Sequence, residues 1–240
     1  MRIPRSGPVA AALALGALHA LSFAPWPAWW LQLLTLSLAF RLILAAPVTD
    51  RYRAATTAYA FAVGHYTAGL CWLYISMHRF GGLPSVMAGA AVVLLAAYLA
   101  LFCAAAVWFV PRPRATPAAG SVAGALGWSG ALAAAWALGE ITRGWFLTGF
   151  PWLSIGYAHV DGPLGGLAPL LGVYGVGMAA AWVAALASVA LARGRAGWPL
   201  AAVGAATLLL ALPLRLIEHT DAAGSPVSVR LVQGNVPQQL

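Results

Sequence analysis

About seven long apolar runs, separated by short breaker segments, occupy nearly the whole chain, at roughly 9–23, 29–46, 56–76, 86–110, 120–141, 164–192 and 198–214. A helix needs about 20 apolar residues to cross the hydrocarbon of a bilayer, and every run after the first is near or above that length. The breakers between them are turn-forming: Pro47, Gly81-Gly82-Leu83-Pro84, Pro111-Arg112-Pro113-Arg114, and Gly194 with Gly197. Composition agrees. The chain is 62% hydrophobic and 8% charged, where a soluble domain is about 45–50% apolar and 25% charged. The expected fold is an all-α polytopic membrane bundle of about seven transmembrane helices, one domain over residues 1–216.

The first run is short and follows Arg2 and Arg5, so a cleaved signal peptide competes with a first membrane helix. Only Ala24-Pro25-Trp26-Pro27 separates it from the second run, which suits a tight helical hairpin better than a mature amino terminus. The net charge of +8 comes from thirteen arginines and no lysine. They are scattered between apolar runs rather than gathered on one face, which argues against nucleic acid and for topology signals. With the amino terminus inside, Arg2, Arg5, Arg41, Arg51, Arg53, Arg112, Arg114, Arg193 and Arg195 lie on the cytoplasmic side, and Arg79, Arg143, Arg215 and Arg230 on the other. An odd number of crossings then puts the carboxyl end outside, in the periplasm of a bacterial inner membrane.

Beyond about Leu214 the pattern changes. A polar stretch leads into Val227, Val229 and Leu231 alternating with Ser228 and Arg230, which reads as a β-strand, followed by a Gly234-Asn235 turn signal. One strand cannot stand alone in water. Residues 217–240 therefore read as an extracytoplasmic linker and the first strand of an incomplete second domain.

Candidates for chemistry are few. Cys71 and Cys103 lie far apart inside apolar runs and read as small buried hydrophobes; no metal-ligand spacing occurs. The densest cluster of unusual residues runs from Glu140 through Arg143 and Trp145 to Gly149-Phe150-Pro151-Trp152-Leu153, ending near Tyr157, His159 and Asp161. Two readings stand. Tryptophan and tyrosine collect at membrane interfaces, and Glu140 and Arg143, three apart, can stabilise a helix end. Alternatively, Pro151 and the glycines fix a loop whose aromatics form a greasy wall for a lipid chain. A second cluster joins Gly64-His65-Tyr66, Cys71-Trp72-Leu73 and His78-Arg79-Phe80-Gly81-Gly82; His65, like His19, reads first as a hydrogen-bonded histidine within the bundle and second as a proton relay. Gly120 and Gly124 make a GxxxG spacing, and Gly172, Gly175 and Gly177 crowd the sixth run, both compatible with close helix packing. No nucleophile–base constellation, phosphate loop, cofactor motif or metal motif is present, so no catalytic residue is assigned.

Leu147-Thr148-Gly149-Phe150-Pro151-Trp152-Leu153, Gly156-Tyr157, Asp161-Gly162-Pro163-Leu164 and Gly172-Val173-Tyr174-Gly175 together resemble the bacterial apolipoprotein N-acyltransferases. Phe23-Ala24-Pro25, the region from Gly69 to Trp72, Gly81-Gly82-Leu83-Pro84 and the terminal run from Val229 to Gln238 agree in the same order. The resemblance implies a membrane bundle followed by an extracytoplasmic nitrilase-like domain and a returning helix. It further implies a Glu/Lys/Cys triad in that second domain. The triad takes an acyl chain from a phospholipid donor as a thioester and passes it to the amine of a diacylglyceryl apolipoprotein acceptor. No triad position can be carried onto this chain, which has no lysine and whose cysteines precede residue 217. What the resemblance transfers is support: Phe150, Pro151 and Trp152, with Glu140 and Arg143, as the loop where membrane lipid approaches. A noncatalytic scaffold for a separate partner and a small transporter are the competing readings, the latter needing ionisable groups near the bilayer midplane.

Overall fold

The structure, a computed structural model, describes residues 6–26, 28–111, 117 and 119–234. Arg2, Arg5, Arg112, Arg114 and the stretch from Asn235 to Leu240, all used in the reading above, lie outside the described residues. Among the described residues seven long helices are present: α1 (Ser6–His19), α2 (Trp29–Leu44), α3 (Arg51–Gly69), α5 (Ser85–Phe109), α6 (Val122–Trp145), α7 (Ala168–Arg193) and α8 (Trp198–Ala211). A short α4 (Cys71–Ile75) follows α3. Among the described residues three helical segments, Ser85–Phe109, Val122–Thr148 and Pro163–Leu216, are long and apolar enough to cross a membrane.

Local chemistry sets the ends. Asp50 caps α3, its carboxylate accepting from the Arg53 amide at 2.9 Å, and Ser121 caps α6 through the Gly124 amide at 3.0 Å. Proline stands in the first turn of both α7 and α8, where its missing N–H costs nothing. The Asp50 cap lets α3 begin at Arg51, ahead of the apolar run at 56–76, and Arg51 donates to the Trp108 carbonyl at the end of α5 (2.8 Å). The far end of that run is broken at Leu70 (φ −102, ψ 12). This corrects the expectation for Cys71: it begins the separate turn α4, which has no buried residue, and is exposed, whereas Cys103 is buried in α5.

The helices close a ring. α1 packs on α3, α3 on α5, α5 on α6, α6 on α7, α7 on α2 and α2 on α1, with α8 outside against α7. The middle is aromatic: Trp136 of α6 meets Phe40 of α2 at 5.4 Å between ring centres and Phe61 of α3 at 6.4 Å. The backbones of α1 and α3 come close enough to exclude side chains at their crossing. A Cβ on Gly16 would sit 1.8 Å from the Phe61 carbonyl oxygen, and one on Gly64 2.1 Å from that of Leu13. At Gly124, the second glycine of the GxxxG spacing, a Cβ would meet only the Ser121 hydroxyl of its own cap. Gly172 (φ 65) interrupts α7 instead of packing it.

Residues 217–234 are irregular and exposed, and no strand forms among the described residues. The strand expected at 227–232 has no neighbouring strand to supply ladder hydrogen bonds, and its exposed Val227, Val229 and Leu231 have no sheet face to pack on.

Candidate functional site: a buried clamp under an aromatic loop

α6 carries Glu140 and Arg143 one turn apart, on one face, in its last turns. Both are buried, at 3% and 2% exposure, an expensive place for charge unless every polar contact is used. Beyond Trp145 the chain reverses through Leu147 (φ 51), Thr148 (φ 73) and Gly149 (φ 79). At Gly149 only a glycine fits, because a Cβ would lie 1.9 Å from the Gly144 carbonyl oxygen. Leu153 adds a third non-glycine residue in the left-handed region (φ 60). Such conformations persist only where surrounding contacts over-determine them.

Arg143 and Glu140 supply those contacts. The Arg143 guanidinium donates through Nη1 to the carbonyls of Phe150 and Trp152, the latter at 2.9 Å, and through Nη2 to the Ser154 hydroxyl at 2.9 Å. Glu140 Oε1 accepts from the Ile155 amide at 3.0 Å. The two charged groups stand 3.9 Å apart, at the limit of an ion pair. Their main work is therefore on the loop, not on the helix end. The planar fork of arginine suits this, since it presents several donors in fixed directions.

The second sequence cluster joins the first here. Tyr66 of α3 lies beneath Arg143, its ring centre 5.2 Å from the guanidinium carbon, and its hydroxyl faces Cys103 Sγ of α5 at 3.9 Å. His65 Nε2 donates to the Leu153 carbonyl at 3.3 Å. A Cβ on Gly69 would collide with the Leu153 side chain at 2.4 Å. The outer part of that cluster stays apart: His78 bonds to the Leu83 carbonyl and Arg79 lies over Phe80.

Held this way, the loop turns its aromatics outward. Phe150 and Trp152 stack at 5.6 Å, with Trp152 54% exposed. Trp152, Pro151, Leu153, Tyr157 and Val160 line a mostly apolar cleft of about 530 Å³, closed on its other side by Phe23 and Ala24. Asp161 is exposed and outside the clamp. Among the described residues no group of three or more His, Cys, Asp and Glu could hold a metal ion. Arg143 Nη1 and Nη2 and Glu140 Oε1 are committed to the loop, while Glu140 Oε2 and Arg143 Nε are buried with no hydrogen-bond partner among the described residues.

Ser154 and the pairing of Gln32 with His159 went unrecognised in the sequence. His159 Nε2 donates to Gln32 Oε1 at 3.0 Å, across 127 positions in the chain. Burial pushes the His159 imidazole from its ordinary 6.5 down to about 4. The neutral form is therefore the one folded in. Its contribution to stability is complete above pH 6.5 and is lost as pH falls toward 4, at about 1.4 kcal/mol per pH unit. In detergent, the unfolding midpoint should drop more steeply between pH 7 and 5 for the parent than for His159→Asn. Parallel slopes would remove His159 from the account.

The sequence matches the family model described as apolipoprotein N-acyltransferase N-terminal domain over residues 15–186. It is 46% identical over 240 residues to the apolipoprotein N-acyltransferase of Ralstonia nicotianae, covering 100% of this chain and 44% of that protein. Identity to the enzymes of the same name from Bordetella bronchiseptica and Chromobacterium violaceum is 44% over 239 residues and 40% over 237. These alignments cover 94% and 97% of this chain and 43% of each relative. The chain thus spans less than half the length of the curated relatives it matches. The matched segment holds every residue of the clamp and both walls of the cleft. The chain belongs to the apolipoprotein N-acyltransferase family and is similar to its N-terminal domain.

Proposed function

We propose that this chain forms the membrane part of a bacterial apolipoprotein N-acyltransferase, which moves an acyl chain from a phospholipid to the amine of a diacylglyceryl apolipoprotein. In this reading residues 1–216 lie in the inner membrane with the amino end in the cytoplasm. Residues 217–240 enter the periplasm as a linker and first strand leading to a nitrilase-like domain. The arginine distribution supports the orientation.

One observation carries the site: the cleft and the departure of the tail share a wall. Val160 lines the aromatic cleft and also the pocket formed by Arg215 and Ile217, where the last helical turn ends. Arg215 donates to the Gly162 carbonyl, tying that turn to the same loop. A domain following Ile217 therefore starts beside the cleft, where an acyl chain leaving the bilayer would meet it. Glu140 and Arg143 position the loop, and Phe150, Pro151 and Trp152 provide the apolar surface.

The test uses the chain joined to the remaining domain of the Ralstonia nicotianae relative. Trp152→Ala is expected to raise the KM for phospholipid on the order of tenfold, the effect of about 1.4 kcal/mol of lost apolar contact, with folding unchanged because the side chain is exposed. Unaltered acyl transfer would remove Trp152 from the site. The 240 residues contain no lysine, so alone they are expected to form no acyl thioester; mass-spectrometric detection of one on Cys71 or Cys103 would overturn the division of labour.

A further inference from the structure

A second groove of the bundle lies away from the aromatic cleft. It encloses about 730 Å³ between α2, α7 and α8 and is lined almost wholly by apolar groups, among them Leu33, Leu34, Val183, Leu191 and Ala201. At the turn that joins α7 to α8 it ends on Arg195 and Trp198. From Val183 to Arg195 is twelve residues of α7 and its turn, about 18 Å at 1.5 Å per residue, or roughly half the thickness of a bilayer. The groove thus reaches from mid-membrane to one surface.

That surface end is cationic and aromatic. Arg195 is exposed, makes no hydrogen bond or ion pair among the described residues, and no acidic residue lines the groove. Its neighbour Arg193 is occupied elsewhere, donating to the carbonyls of Pro117, Gly120 and Ser121. Trp198 is 71% exposed, placed as an interfacial ring is placed. On α2, Arg41 falls one turn beyond the lining residue Ser37, on the same helix face.

We propose that this groove is a binding site for one anionic phospholipid, its acyl chain lying between α2, α7 and α8 and its phosphate headgroup held at Arg195 beside Trp198. The lipid is neither donor nor acceptor in the acyl transfer proposed above, because the groove opens by the α7–α8 turn while the aromatic cleft lies beyond the opposite end of α7. An annular lipid shell would fill an apolar groove without regard to headgroup. The unpaired arginine at its mouth is what makes the site selective.

The experiment reconstitutes the chain in vesicles of equal parts phosphatidylglycerol and phosphatidylethanolamine with identical acyl chains, extracts it in mild detergent, and weighs the retained lipid by native mass spectrometry. Phosphatidylglycerol is expected to be enriched about fivefold over phosphatidylethanolamine, the preference one surface arginine confers. Arg195→Gln should bring the ratio close to one, and Arg195→Lys should restore most of it. Ala201→Trp, at an exposed lining position, should reduce retention of both lipids by occupying the groove. Arg79→Gln, at an exposed site outside the groove, should leave the ratio as it was. A parent ratio equal to that of the vesicles, or an equal loss in Arg195→Gln and Arg79→Gln, would overturn the site.

Discussion

Replacing Arg143 by methionine is expected to destabilise the bundle by about 3–5 kcal/mol, the cost of leaving a buried partner charge unpaired. The substitution strands Glu140, which keeps only the Ile155 amide. It also removes the donor to the carbonyls of Phe150 and Trp152 and to the Ser154 hydroxyl. Thermal unfolding in detergent measures the loss, and protease sensitivity between Trp145 and Ile155 locates it. Arg143→Lys should recover only part, since one ammonium cannot reproduce the fork that reaches three acceptors. Glu140→Gln combined with Arg143→Met should be less damaging than Arg143→Met alone, because the uncompensated charge has gone. An unchanged midpoint in Arg143→Met, or an additive double variant, would show that the clamp does not hold the loop.

The second large effect belongs to the crossing of α1 and α3. Valine at Gly16 or Gly64 places side-chain carbons inside van der Waals contact with the carbonyls of Phe61 and Leu13. Backbone cannot step aside as a flexible side chain can, so the helices must part, at about 1–3 kcal/mol for each substitution. Separation would also pull His19 from His65, whose rings lie 4.8 Å apart, and strain the His19 hydrogen bond to Thr35 at 2.7 Å. Since His65 bonds to the Leu153 carbonyl, the disturbance should reach the aromatic loop and lower acyl transfer in the joined protein as well as its stability. Gly89→Ala in α5 is the matched control: a Cβ there meets nothing within 4 Å, so stability should hold or rise slightly. Equal losses in Gly16→Val and Gly89→Ala would remove the special role of the crossing.

Much of this was legible in the residues, for reasons that can be named. The apolar runs marked the long helices because a helix packed among apolar neighbours is apolar along its length, although only three helical segments among the described residues are long and apolar enough to cross a membrane. The breakers at Pro84 and Gly194 fell where α5 begins and α7 ends because their effect is local to the backbone. Segments from Phe23-Ala24 to Leu153 stood out through family resemblance, and they line one cleft. The exposure of Cys71 was not legible, because it turns on a break at Leu70 inside an otherwise continuous apolar run. Nor was the contrast between Gly16 and Gly124 visible, since two glycines of similar setting differ only in what stands opposite them.

Glu140 and Arg143 mark the division most clearly. Their spacing, three apart near a helix end, is a local property, and the chain alone determined that they share a face of α6. It likewise determined that a run ending in Gly149 and Pro151 would turn there. Which groups the two charges meet was decided by the ring of helices. Closing α3 against α1 and α5 brings Tyr66 beneath Arg143 and His65 against Leu153, and the reversal after Trp145 folds the loop back over the charges. Hydrocarbon length and backbone geometry act within a segment and can be read along it. Hydrogen bonds between groups as distant in sequence as Gln32 and His159 depend on which helices become neighbours, and only packing of the whole bundle sets that.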